Sequence, residues 1–112
     1  MKHILLITLL LASLFLVGCG PSQSQLEGFA TCLTEKGATM YGASWCPHCQ
    51  DQKKEFGDAF NKINYVECST EEQKCQDAGI QYLPTWEFSD WSTRTGVVSF
   101  SELAEKTSCV LE

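Results

Sequence analysis

Apolar positions follow three patterns along this chain, and each predicts a different kind of element. Ile4 to Val17 is uncharged throughout and mostly apolar, a single run of 14 residues. From Leu26 the spacing becomes helical: Leu26, Phe29, Ala30 and Leu33 fall at i, i+3, i+4 and i+7, one buried stripe. Ser24 with Glu27 three residues later predicts the capping box of that helix, and Gly37 its stop. Ala38 to Ala43 is a short continuous apolar run, as in a buried strand. A second helix is predicted from Cys46, with Cys49, Phe56, Phe60 and Ile63 on one side and Asp51, Lys53, Lys54 and Glu55 towards water.

Ile63 to Cys68 alternates as a further strand would. Glu71 to Ala78 predicts a short helix, capped by Ser69 with Glu72 and closed by Gly79. Tyr82 to Phe88 predicts a strand with a proline near its start, and Val97–Val98 its hairpin partner after a polar turn. Ser99 and Glu102 cap a last helix that buries Phe100, Leu103 and Val110. Helix, strand, helix, strand, helix, strand, strand, helix is the order of an α/β domain, with parallel pairing early and an antiparallel hairpin late.

The uncharged run changes the domain count. At roughly 1.5 Å per residue it would span about 21 Å as a helix, short for a lasting membrane crossing. Lys2 before it and small residues after it predict a signal peptide over residues 1–18. Leu16-Val17-Gly18-Cys19 resembles the lipobox of bacterial lipoproteins, which implies lipidation of Cys19 and a lipid anchor on the outer side of a bacterial membrane. Residues 19–25 would then be a lipidated tether and 26–112 one domain. Gly20 after Cys19 lacks the aspartate that retains many such lipoproteins at an inner membrane.

Charge removes one class of partner. The chain carries a net charge of −6, and without Lys2 it would carry −7. A domain with no basic stripe does not neutralise phosphates, so nucleic acid is not expected. A monomer is expected. Seven cysteines are an odd number for an exported protein. Lipidation of Cys19 leaves Cys32, Cys46, Cys49, Cys68, Cys75 and Cys109, an even set suited to an oxidising compartment.

The candidate chemistry lies in Gly42-Ala43-Ser44-Trp45-Cys46-Pro47-His48-Cys49. A strand leading into C-x-x-C at a helix start places Cys46 where unsatisfied N–H groups favour a thiolate. His48 adds a donor, and Cys49, one turn on, would resolve a mixed disulfide formed at Cys46. Zinc is the competing reading of the two cysteines; Cys68 and Cys75 could complete four ligands, although at an unusual spacing. No metal is expected, and no cofactor beyond the redox-active disulfide itself.

Three blocks in order, Met40 to Cys49, Tyr65 to Cys68, and Gly79-Ile80 with Pro84-Thr85-Trp86, resemble thioredoxin-fold thiol–disulfide oxidoreductases. The greatest similarity is to the small domains found with, or fused to, homologues of vitamin K epoxide reductase. The resemblance implies a thioredoxin-like α/β fold, a central mixed sheet of about four strands flanked by helices. It implies Cys46 as nucleophile and Cys49 as resolving thiol, supported by Trp45, Pro47 and His48. It also implies a cis bond between Leu83 and Pro84, facing the cysteines and offering backbone to a bound peptide. Related domains carry an extra cysteine pair near Cys68 and Cys75. A Cys68–Cys75 bridge would pin the short helix to the sheet, the alternative being a second redox pair. Cys32 and Cys109 remain, as a bridge or as buried thiols, because the first and last helices of such folds usually cover opposite faces.

Direction of electron flow is read from two features. Pro-His between the cysteines is the dipeptide of DsbA oxidases, whose potential is near −120 mV, against about −270 mV for thioredoxin. Met40 stands where thioredoxins bury an aspartate. The expectation is therefore a tethered oxidase of exported cysteine-containing proteins, reoxidised by a vitamin K epoxide reductase-like or other quinone-linked membrane partner. A reductase or isomerase fed by a membrane electron donor, or a non-enzymatic disulfide-stapled lipoprotein, are the alternatives.

Overall fold

The computed structural model describes residues 20–111. The expected leader, residues 1–18, and the lipidation candidate Cys19 lie outside the described residues. Among the described residues no helix is long and apolar enough to cross a membrane.

Four strands and four helices alternate along the chain. They are α1 (Gln23–Glu35), β1 (Thr39–Gly42), α2 (Pro47–Phe56), a 3-10 segment (Gly57–Lys62), β2 (Tyr65–Glu67), α3 (Glu72–Asp77), β3 (Thr85–Glu87), β4 (Thr93–Thr95) and α4 (Phe100–Thr107). The strands form one mixed sheet in the order β2-β1-β3-β4. β1 pairs with β2 in parallel, while β1–β3 and β3–β4 are antiparallel. This is the expected mixed α/β architecture, four strands flanked by helices, compatible with a thioredoxin-like fold.

Register divides the sheet into two unlike faces. Met40 lies opposite Tyr65 on one side and Trp86 on the other, so these three share a face. Met40 and Trp86 are wholly buried there. Phe56 of α2 lies 6.2 Å from Trp86, and Phe29 of α1 and Phe100 of α4 pack on Phe56 and on each other. Three helices therefore cover one face. Tyr41, Val66 and Glu87 belong to the other face, where Lys74, Asp77 and Ala78, on and just after α3, border an open hollow with Trp91.

Several elements depart from their sequence patterns. The capping box of α1 uses Ser22 and Gln25, not Ser24 and Glu27: the Ser22 hydroxyl accepts the Gln25 N–H at 3.3 Å and the Gln25 side chain accepts the Ser22 N–H at 2.7 Å. α2 stops at Gly57, whose φ of 58° suits a residue without a Cβ. Phe60 and Ile63 come after this break, so they do not continue the α2 stripe. Ser69 does not cap α3, because its hydroxyl and N–H both go to Glu67.

The hairpin partner of β3 is Thr93–Thr95, not Val97–Val98. β4 is an exposed edge strand with no inward apolar residue, so its composition gives no alternation to read. Val98 is buried because it leads into α4, not because it is in the sheet. Ser99 does cap α4, accepting the Glu102 N–H at 3.2 Å, and Leu103 is buried. Val110, expected inward, is exposed: the left-handed Ser108 ends the helix before it.

Candidate functional site: the Cys46–Cys49 turn

Strand β1 ends at Gly42, and four residues bring the chain to the N-cap of α2, which is Cys46. The Cys46 N–H donates to Ala43 O at 3.1 Å, closing the turn. Pro47 occupies the first position of the helix, where its fixed φ is already helical and its missing N–H costs nothing. Cys46 thereby takes the place that serine or threonine usually holds. Its Sγ accepts the Cys49 N–H at 3.2 Å, using one of the donors that a helix start leaves unpaired.

The two thiols differ in environment. Cys46 keeps a small exposed edge, 5%, whereas Cys49 has none. Burial, then the hydrogen bond with Cys46, pushes the Cys49 thiol up to about 12. Trp45 stands 72% exposed beside the pair. His48 is also exposed and points its Nδ1 towards Asp51 at 3.6 Å. Gln50 braces the turn from outside by donating to Ser44 O at 3.1 Å.

β3 supplies the neighbouring wall. Tyr41 pairs with Thr85, so the same register brings Pro84 level with Gly42, at the end of β1 from which the cysteine turn departs. The Leu83–Pro84 bond is cis. Pro84 is fully buried, Leu83 is half-buried and packs on the core, and the Thr85 hydroxyl donates to Tyr82 O at 2.6 Å. The Pro84 carbonyl accepts the Gly96 N–H at 2.8 Å.

Beneath the turn lies a polar group that sequence patterns missed. The Tyr65 hydroxyl donates to Glu67 Oε1 at 2.8 Å. Glu67 Oε2 accepts the backbone N–H of Ser44, at 3.1 Å, and both the N–H and the hydroxyl of Ser69. Burial alone would raise the Glu67 carboxyl; the donors from Ser69, Tyr65 and Ser44 outweigh it and hold Glu67 below the usual carboxylate range. Lys53 Nζ sits 4.1 Å from the centre of the Tyr65 ring. A Cβ on Gly42 would lie 3.1 Å from both Cys49 Sγ and Tyr65 Oη, so Gly42 keeps the gap between thiol and phenol open. In the sequence Gly42, Tyr65 and Glu67 read as strand positions within the blocks that carry the resemblance, with no chemical role assigned, because the contacts between them cross from one element to another.

Gln52 was missed as well, although its spacing from Cys49 and Phe56 puts it on the inward face of α2. It is fully buried. Its Oε1 accepts Trp86 Nε1–H at 3.1 Å and the Val98 N–H at 2.8 Å, while its Nε2 donates to Val98 O at 3.2 Å.

The remaining cysteines among the described residues are paired. Cys68 and Cys75 form a disulfide with Cα atoms 5.7 Å apart, joining the end of β2 to α3. Their bond to each other takes them out of any four-thiolate set with Cys46 and Cys49. Cys32 and Cys109 form a second disulfide, Cα atoms 5.9 Å apart. The premise against that bridge does not hold here, since α1 and α4 share a face. Cys46 and Cys49 are the free thiols among the described residues. No cluster of three or more His, Cys, Asp or Glu side chains suited to a metal occurs among the described residues.

No family model matches the chain. It is similar to the thiol-disulfide oxidoreductase LTO1 of Arabidopsis thaliana, 42% identical over 89 residues, a match that covers 71% of this chain. The chain spans about a quarter of that relative's length, 23%.

Proposed function

We propose that this chain is a thiol–disulfide oxidoreductase that works through Cys46 and Cys49. One observation carries the reading: four of the described cysteines are locked in disulfides, and the two left free sit together at a helix N-terminus, one edge-exposed and one enclosed. The name of the Arabidopsis relative supports it. Cys46 is the sulfur that partners reach. In the oxidising direction a partner thiolate attacks Cys46 of the Cys46–Cys49 disulfide, and Cys49 leaves with the electron pair. A second partner thiolate then attacks the mixed disulfide at the partner's sulfur, forming the partner's disulfide and releasing Cys46. Two electrons and two protons stay on the cysteine pair. The Cys49 N–H aimed at Cys46 Sγ is already placed to hold the charge that develops there.

The working direction is oxidation of exported, cysteine-containing proteins. Pro47-His48 between the cysteines supports this, as does a Met40 side chain that brings no carboxylate to the pair. The site of action is extracytoplasmic and membrane-tethered through lipidated Cys19, with a quinone-linked membrane partner as reoxidant. Two disulfides in so small a domain suit an oxidising compartment. Trp45 and His48 border the surface against which a partner chain lies, and Leu83, ahead of the buried cis Pro84, offers it backbone groups.

The test is the reduction potential of the Cys46–Cys49 pair in the purified protein, equilibrated against glutathione with Cys32, Cys68, Cys75 and Cys109 mapped in the same samples. A value above roughly −150 mV is expected for an oxidase. One below roughly −250 mV would make the protein a reductase. Failure of Cys46 and Cys49 to exchange with glutathione at all would remove the enzymatic reading and leave a disulfide-stapled binding protein.

A further inference from the structure

Cys49 has to gain and lose a proton in every cycle, yet its side chain has no exposed surface. As leaving group it departs as a thiolate and must be protonated. As attacking group it must first be deprotonated. Neither step has direct access to bulk water, and a proton moves only along groups within hydrogen-bonding reach of one another or bridged by a single water.

One such series runs from the thiol to the surface. Across the gap kept open by Gly42, Cys49 Sγ and Tyr65 Oη each lie 3.1 Å from the point where a Cβ would stand, which bounds their separation at about 6 Å, a span that one bridging water closes. The Tyr65 hydroxyl has already committed its own proton to Glu67 Oε1, at 2.8 Å, so its lone pairs are free towards the thiol side. Glu67 is half-buried and reaches solvent. Three elements hold this geometry: Phe60 stacks edge-on against the Tyr65 ring, at 5.4 Å between centres, Lys53 of α2 caps the ring, and Ser44 and Ser69 grip the second Glu67 oxygen.

We propose that Tyr65 and Glu67 form the route by which Cys49 exchanges its proton with solvent during disulfide exchange. The inference rests on the exchange chemistry proposed above for Cys46 and Cys49. When Cys49 attacks, its S–H proton passes through a bridging water to Tyr65 Oη as the phenol proton passes to Glu67; the Cys49 electron pair forms the Cys46–Cys49 bond, and the partner leaves Cys46 as a thiolate. In the reverse reaction the partner thiolate bonds to Cys46, the Cys46–Cys49 bond breaks onto Cys49, and a proton taken from solvent returns by way of Glu67 and Tyr65. Tyr65 ends each passage with the proton count it began with. Glu67, held ionised by its donors, hands the proton on to water rather than keeping it. The groups facing the pair are Lys53 and Cys46 from the α2 side and Glu67 from β2 itself, so the series carries one base and one cation.

The test separates the two sulfurs in the full chain, with oxidised glutathione as the partner. Attack by Cys46 is followed as mixed-disulfide formation in a Cys49→Ser background. The Cys49 step is followed in stopped flow as release of glutathione from the mixed disulfide. Tyr65→Phe retains the ring and its packing while removing the hydroxyl, and it should slow the Cys49 step by about tenfold or more at neutral pH and make it rise with pH, as direct ionisation of Cys49 takes over. Attack by Cys46 should be unchanged, and Glu67→Gln should reproduce the effect. An unaffected Cys49 step in Tyr65→Phe would overturn the inference alone, as would equal slowing of both steps, which would mark a structural role. The wild-type protein supplies a second measurement: a Cys49 step with no solvent deuterium isotope effect would overturn the route without any variant. Wild type that forms no mixed disulfide at Cys46 would overturn the underlying reading as well.

Discussion

An enclosed thiol couples the stability of the reduced protein to pH. Burial pushes Cys49 from the ordinary 9.0 up to about 12, so the native state keeps the proton where an unfolded chain has already lost it. Between those values the native state binds more protons than the unfolded one. Stability of the reduced protein is therefore intact below about pH 9 and declines as pH rises towards about 12. Urea unfolding of reduced wild type and Cys49→Ala, each at neutral pH and near pH 10, checks this: the wild type should lose more on the shift. Equal losses would mean that Cys49 is not protonated in the way its burial requires. Gly42 illustrates why such an environment is hard to read from sequence. Its small size is needed by Cys49 and Tyr65, residues on two other elements, and nothing in the run Ala38 to Ala43 announces them.

Elements here are held in place by a few polar side chains as much as by apolar stripes. Gln52 joins α2 to the Trp86 indole of β3 and to both backbone groups of Val98 at the entrance to α4. Gln52→Met keeps the length of the side chain but leaves three buried polar groups unpaired. At about 1 kcal/mol or more for each stranded group, it should cost about 3 kcal/mol or more of stability, measured by denaturant unfolding of the oxidised protein. The same principle explains which boundaries were legible. Ser99 with Glu102 predicted the start of α4, and the Ser99 hydroxyl accepts the Glu102 N–H there even with the Ser101 hydroxyl 3.1 Å away. Ser69 looked equally good on spacing, but Glu67 captures it. Ser22 and Ser24 each have a residue three positions on that could close a box, Gln25 or Glu27, and spacing alone does not rank them. The Cys46 turn was legible because C-x-x-C, the proline at the first helical position and the preceding apolar strand all point to one local structure. β4 was not, because Thr93-Arg94-Thr95 is exposed throughout and its strand character comes from pairing with β3.

At the scale of the whole molecule, three helices lie on one face of a four-stranded sheet, and two disulfides of very different span brace it, one joining the end of β2 to α3 and the other joining α1 to the chain beyond α4. Cys68–Cys75 closes a separation of 7 residues, Cys32–Cys109 one of 77. On loop-closure grounds, Cys32→Ala with Cys109→Ala should cost about 4 kcal/mol, and Cys68→Ala with Cys75→Ala about 2 kcal/mol. Unfolding midpoints of the two double variants test the order; a larger loss from the shorter bridge would show that α3 anchors the sheet more firmly than chain entropy implies. The long bridge was the reading least available from sequence, since it depends on α1 and α4 sharing a face, which only the packing of Phe29 against Phe100 establishes. That bridge also makes residues 32–109 a covalent ring, with the cysteine turn, the sheet and the cis-proline segment all inside it. A protease that cuts once at an exposed basic residue of the ring, such as Arg94, opens a circle instead of severing a string. The two pieces travel as one species until a reductant reaches Cys32 and Cys109, so digestion of this protein reports on its sulfur chemistry before it reports on its fold.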